Sequence, residues 1–221
     1  MGLKISNAKG ERATVTLYGI IGDDYGGITA EQFRKELAQI PSKEPINLHI
    51  HSDGGSFFDG VAIHSQLKQR KGDVHVVVDG LAASAASLVA MAGKTITMAQ
   101  HSWLMIHEAH AAVRGRAADM RAAANLLDAT NGEIASIYAS RWKGTPEELS
   151  AAIAAETWID AEGSVELGLA DMVGNTLSIA ACVNPDFKYK CVPKALLEGG
   201  PSPEFKRIEG VVNELQVHGG N

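Results

Sequence analysis

The sequence predicts an α/β domain built on a mostly parallel sheet, and three observations carry that prediction. Strand-like apolar stretches alternate with helix-patterned ones from residue 13 onward, the signature of βαβ units. A chain of 221 residues is long enough to form one large domain with a substantial core. Its 45% hydrophobic and 21% charged residues are the ordinary mix of a globular protein.

The first strand lies in RATVTLYGIIG (12–22), where apolar residues alternate with others. GGITAEQFRKELAQI (26–40) has helical spacing, with Thr29 as N-cap and Pro41 as a stop signal. INLHIHS (46–52) is the next strand, ending at DGGS. In FDGVAIHSQLKQRK (58–71), Val61, Ile63, His64 and Leu67 fall near one helical face. DVHVVVDG (73–80) is a third strand, and the alanine-rich LAASAASLVAMAG (81–93) after it reads as a helix. KTITMAQHSWLMIHE (94–108) supplies two further short strands.

From Gly115 the pattern changes to a long amphipathic helix near 115–142, with Met120, Leu127 and Ile134 at heptad spacing. It either packs on its own domain or projects to meet another subunit. TPEELSAAIAA (145–155) is a short helix with Thr145 as N-cap, Pro146 at the first position and Glu148 closing a capping box. DAEGSVELGLAD (160–171) is another, ending near Gly168. Residues 1–181 are assigned to one domain and 182–221 to a C-terminal extension, whose end from Pro201 is expected to be loose.

Composition and charge disfavour several function classes. A net charge of −6 without a long basic run leaves no nucleic-acid footprint. Cys182 and Cys191 are too few for a disulfide framework and lack zinc-site spacing, so no metal is expected and both read as reduced cytoplasmic thiols. The N-terminus has no apolar signal core and no apolar run approaches a membrane span, so the chain is expected to be soluble and cytoplasmic. MAGKT (91–95) ends like a phosphate loop, but Leu88 stands where the first glycine belongs; no nucleotide or other cofactor is expected.

Reactive side chains gather at the ends of three strands, where open α/β sheets place their sites. Gly54 and Gly55 permit unusual backbone angles and close approach by a ligand backbone, although a plain turn is the commoner use of such a pair. Ser84 falls in the first turn after a strand, where free helix amides favour developing negative charge. It reads either as an N-cap or packing serine or as a nucleophile assisted by the amide of Ala85. His107 ends an apolar strand, the place for a rigidly held general base. Glu156, Asp160 and Asp171 are all candidates to fix its imidazole.

These pieces, in this order, resemble the Clp protease proteolytic subunit family. HSDGGSFFDGVAIHSQLK is similar to its Ser-Pro-Gly-Gly-Ser segment and following helix, and DGLAASAASLVAMAG to its Gly-x-Ala-Ala-Ser nucleophile helix. SWLMIHEA matches the Met-Ile-His motif, and ETWIDAEGSVELGLAD the segment bearing the third catalytic residue. The resemblance runs over about residues 13–175. ETW and YGIIGDDYGGITAEQF are closest to the phage-encoded branch, the head maturation (prohead) proteases.

The resemblance implies a ClpP/crotonase-type spiral of ββα units, with the long helix as a projecting handle. Ser84 is then the nucleophile, His107 the base and Glu156 the acid, where the family usually has aspartate. The amides of Gly54 and Ala85 fall at the oxyanion hole, Gly55 lies on the loop that binds the substrate strand, and Ser87 is left to packing. Asp53 replaces the family's proline. Homo-oligomeric rings are implied, typically heptameric and often stacked face to face. The leading expectation is a serine endopeptidase that processes phage scaffold and capsid proteins. The alternatives are a host ClpP paralogue fed unfolded proteins by a partner AAA+ unfoldase, and an inactive ring-forming structural protein.

Overall fold

The alternation read in the sequence decides which way each strand faces. The computed structural model describes residues 2–6, 12–23, 26–174, 183 and 189–197. Its elements run β1 (Leu3–Ser6), β2 (Ala13–Tyr18), α1 (Ala30–Leu37), β3 (Ile46–Ser52), α2 (Phe57–Lys68), β4 (Val74–Ala83) and α3 (Ala85–Ala90). They continue through β5 (Thr95–Ala99), β6 (Trp103–Ile106), α4 (Ala117–Ala139), α5 (Pro146–Ala154), β7 (Thr157–Asp160), α6 (Ala161–Glu166), β8 (Met172–Gly174) and α7 (Lys194–Leu197). Val15 and Leu17 of β2, Leu48 and Ile50 of β3, and Val76 and Val78 of β4 point to one side and are buried. Phe33 and Leu37 of α1, Ile63 and Leu67 of α2, and Ala86 and Val89 of α3 share that core.

The eight strands form one sheet in the order β1-β2-β3-β4-β5-β8, with β6 and β7 branching from β4. β2 through β5 and β8 run parallel, as the βαβ alternation predicts. The branch arises within β4. Its first half, His75–Val78, pairs with β5, while Leu81–Ala83 pairs in parallel with β6, which then takes β7 antiparallel.

Local capping follows the sequence closely. Thr29 and Gln32 close a capping box on α1, and Thr145 and Glu148 do the same on α5 with Pro146 inside the first turn. The long helix is Ala117–Ala139, shorter at both ends than 115–142. Only Thr130, Ile134 and Tyr138 on it are buried, so of the heptad residues Ile134 alone reaches the core. Its first half stands away from the body, leaving Met120 and Leu126 40% and 55% exposed.

The strands β1, β7 and β8 and the short α7 are additions to the sequence reading; three to four residues are too few for periodicity to show. The loose tail expected from Pro201, and Cys182, lie outside the described residues. Among the described residues no helix is long and apolar enough to cross a membrane.

Candidate active site

Strand register brings the three predicted residues to one place. β4 and β6 are parallel neighbours with Ala83 opposite Met105, so Ser84 and His107 leave adjacent strands at the same end. β7 runs antiparallel to β6 with Thr157 opposite Ile106, so the preceding residue, Glu156, emerges opposite His107. The Ser84 amide ties the two exits together by donating to Met105 O at 3.0 Å.

Ser84 occupies the N-cap position of α3, yet its hydroxyl caps nothing. Its Oγ lies 2.7 Å from His107 Nε2 instead. Its backbone sits at φ 53°, ψ −126°, a region costly for any residue with a Cβ, and such strain concentrates at functional sites. The N-cap reading of this serine therefore gives way. Ser87 is fully buried, with Oγ 2.6 Å from Ser84 O, 3.0 Å from Met105 O and 2.6 Å from the Tyr138 hydroxyl. Its hydrogen-bonding capacity is spent on packing, which separates the two serines.

Burial holds the His107 imidazole neutral, pushing its pKa down to about 4, and neighbouring His110 pushes the same way while Glu156 partly opposes them. A neutral ring with Nε2 facing a hydroxyl can accept that hydroxyl's proton. Of the three candidate acids, Asp160 caps α6 by accepting from the Gly163 amide at 2.8 Å, and Asp171 accepts from Arg141 Nη2 at 2.7 Å. Glu156 is the one whose charge acts on His107. Among the described residues, however, no hydrogen bond joins them. Glu156 Oε1 accepts from the Lys190 and Cys191 amides at 2.7 and 2.8 Å, and lies 3.4 Å from Trp158 Nε1. Like Ser84, Glu156 has a positive φ of 53°.

The glycine pair lies against the nucleophile. A Cβ on Gly54 would come within 2.7 Å of Ser84 Cβ and 2.9 Å of the Ala85 amide, so only glycine fits. The Gly54 amide donates to Ser52 Oγ at 3.1 Å. Gly55 bridges Ile21 through the Gly54 carbonyl and the Ser56 amide, which turns the Gly55 amide to the opposite side. Beside Ser84 a pocket of about 30 Å³ is walled by Phe57, Leu88, Ala109, Ile134 and Tyr138. Among the described residues no cluster of His, Cys, Asp and Glu could hold a metal ion.

One site residue carries no motif of its own in the sequence. Tyr189, from the C-terminal extension, stacks edge-on against the His107 ring at 5.8 Å and 90°, and its hydroxyl donates to Asp53 O. Two features could have pointed to it. Trp103 and Trp158 on β6 and β7 need cover on the sheet's outer side, and Val183, Val192 and Leu196 of the extension supply apolar partners for it.

The Clp protease family profile matches residues 11–176. ATP-dependent Clp protease proteolytic subunit 3 of Streptomyces coelicolor is 28% identical over 165 residues, covering 72% of this chain and 76% of that protein. The subunit 3 of Rhodococcus jostii is 30% identical over 166 residues, 72% of this chain and 80% of its own length. The proteolytic subunit of Bacteroides fragilis is 29% identical over 156 residues, 68% of this chain and 74% of its own. The match takes in the strand ends, the α3 turn and the acid-bearing segment together, and by it the chain belongs to the Clp protease family.

Proposed function

We propose that this chain is a serine endopeptidase with Ser84 as nucleophile, His107 as general base and Glu156 as the acidic partner of the imidazole. The observation that carries this is the 2.7 Å contact between His107 Nε2 and the hydroxyl of a strained N-cap serine that caps nothing. In the reaction, Ser84 Oγ attacks the peptide carbonyl carbon while its proton passes to His107 Nε2. The oxyanion is met by the Ala85 amide at the start of α3 and by the glycine turn. Within that turn the Gly55 amide is the freer donor, since that of Gly54 already serves Ser52. Collapse of the tetrahedral species returns the proton to the leaving amine and leaves an ester on Ser84. Water, deprotonated by His107, then hydrolyses the ester and regenerates the hydroxyl. The apolar pocket beside Ser84 receives the side chain preceding the scissile bond.

The relatives are named as subunits of ATP-dependent proteases, which supports polypeptides delivered by a partner AAA+ unfoldase as the substrates. Homo-oligomeric rings, in contact through the free half of α4, fit that reading. Processing of phage scaffold and capsid proteins rests on the flanking motifs alone and is the second reading. Co-purification with an unfoldase supports the first; a neighbouring portal or capsid gene supports the second. The Ser84 and His107 contact weighs against an inert ring protein. A fluorophosphonate is expected to label the wild type on one serine and to leave Ser84→Ala unlabelled and inactive on casein peptides. Labelling that persists in Ser84→Ala and vanishes in Ser87→Ala would sink the assignment.

A further inference from the structure

The C-terminal extension returns to the catalytic centre from outside the family match and contacts it at several points. The Tyr189 hydroxyl donates to the carbonyl of Asp53, on the loop next to the glycine pair, and also lies against the Ser84 hydroxyl. Its ring covers the edge of His107 and meets Trp158 edge-on at 5.5 Å. The next two backbone amides, of Lys190 and Cys191, converge on Glu156 Oε1. Val192 and Leu196 then pack with Val183 over Leu81, Ala83 and Met105, the outer side of the strands that carry Ser84 and His107.

Each contact uses something a bound polypeptide needs. A substrate strand pairs through backbone carbonyls such as that of Asp53, and its scissile carbonyl must reach the space before Ser84. His107 needs a carboxylate on Nδ1 to be held in the right tautomer, and the Glu156 carboxylate is held through Oε1 by the Lys190 and Cys191 amides. The segment meets Ser84 with a phenol rather than a peptide carbonyl, so it occupies the centre without being a substrate for it.

We propose that residues 189–192 are a built-in competitor for the polypeptide site, and that their displacement both opens the space before Ser84 and frees Glu156 to engage His107. This rests on the peptidase reading above. A strap closed 90–99% of the time lowers the apparent reactivity of the site by about 10 to 100-fold, and release restores it.

The test compares fluorophosphonate labelling rates of full-length wild type, Tyr189→Ala and Lys190→Pro, the last removing one amide that holds Glu156. Tyr189→Ala is expected to label about tenfold faster or more, and Lys190→Pro to label faster than wild type. Hydrogen exchange on the wild type gives a reading free of any variant. The Lys190 and Cys191 amides are expected to exchange faster once Ser84 carries the phosphonate. Equal labelling rates in all three proteins, or amide protection unchanged after full labelling, would overturn the strap and leave the peptidase reading standing. If none of the three is labelled any more than Ser84→Ala, the peptidase reading falls and the strap with it.

Discussion

Burial sets the chemistry available at His107. Its pKa of about 4 in the folded chain lies below the ordinary value of 6.5, so folding disfavours its protonated form. Between those two values the unfolded chain binds the proton and the folded chain does not, so stability rises with pH across that window and is fully present above it. The linkage amounts to about 3 kcal/mol. Denaturant unfolding at pH 4 and pH 7 is expected to show His107→Asn losing less stability on acidification than wild type by roughly that amount. The two serines differ in kind. Ser87→Ala strips the Ser87 hydroxyl from the buried Tyr138 hydroxyl and is expected to cost about 1–3 kcal/mol in stability while leaving Ser84 reactive. At Gly54, an added Cβ would clash with Ser84 and push aside the Ala85 amide, and Gly54→Ala is expected to label more slowly by about 10²–10³, the scale of losing that oxyanion donor. Ser84 and His107 were legible because each sits where a patterned strand ends. Tyr189 was not, because its role comes from a chain reversal that no periodicity encodes.

At the level of elements, caps and core faces were readable and short strands were not. Thr29 and Thr145 carry their own hydrogen-bonding logic within three residues, so α1 and α5 follow from the letters alone. β7 has four residues and draws its definition from pairing with β6, a tertiary fact. The branch of β4 was equally hidden: the letters end the strand at Gly80 and open a helix at Leu81, whereas the strand runs on through Ala83 and serves two neighbours. Helix α4 looks uniform in sequence because its amphipathic stripe continues past the body, so patterning could not say that Met120 and Leu126 stay exposed. Those side chains make the assembly testable. Leu126→Glu is expected to leave the thermal midpoint of the subunit nearly unchanged, since the side chain is 55% exposed. It is also expected to reduce the solution mass measured by light scattering, if this half of α4 joins subunits.

In the whole molecule, the three side chains proposed for catalysis arise from two places. Ser84 directly follows the branch strand, while His107 and Glu156 lie just beyond the paired ends of β6 and β7. Four residue pairs join those two strands, from Trp103 and Asp160 to Ile106 and Thr157. Successive strand residues face opposite sides, so one extra residue within either strand would send His107 or Glu156 to the far side of the sheet. The helices between them can lengthen or shorten without disturbing that parity. The pair therefore keeps phase for the chemistry, like two gears meshed by a fixed number of teeth, while the intervening α4 and α5 are left open to divergence in assembly and substrate access.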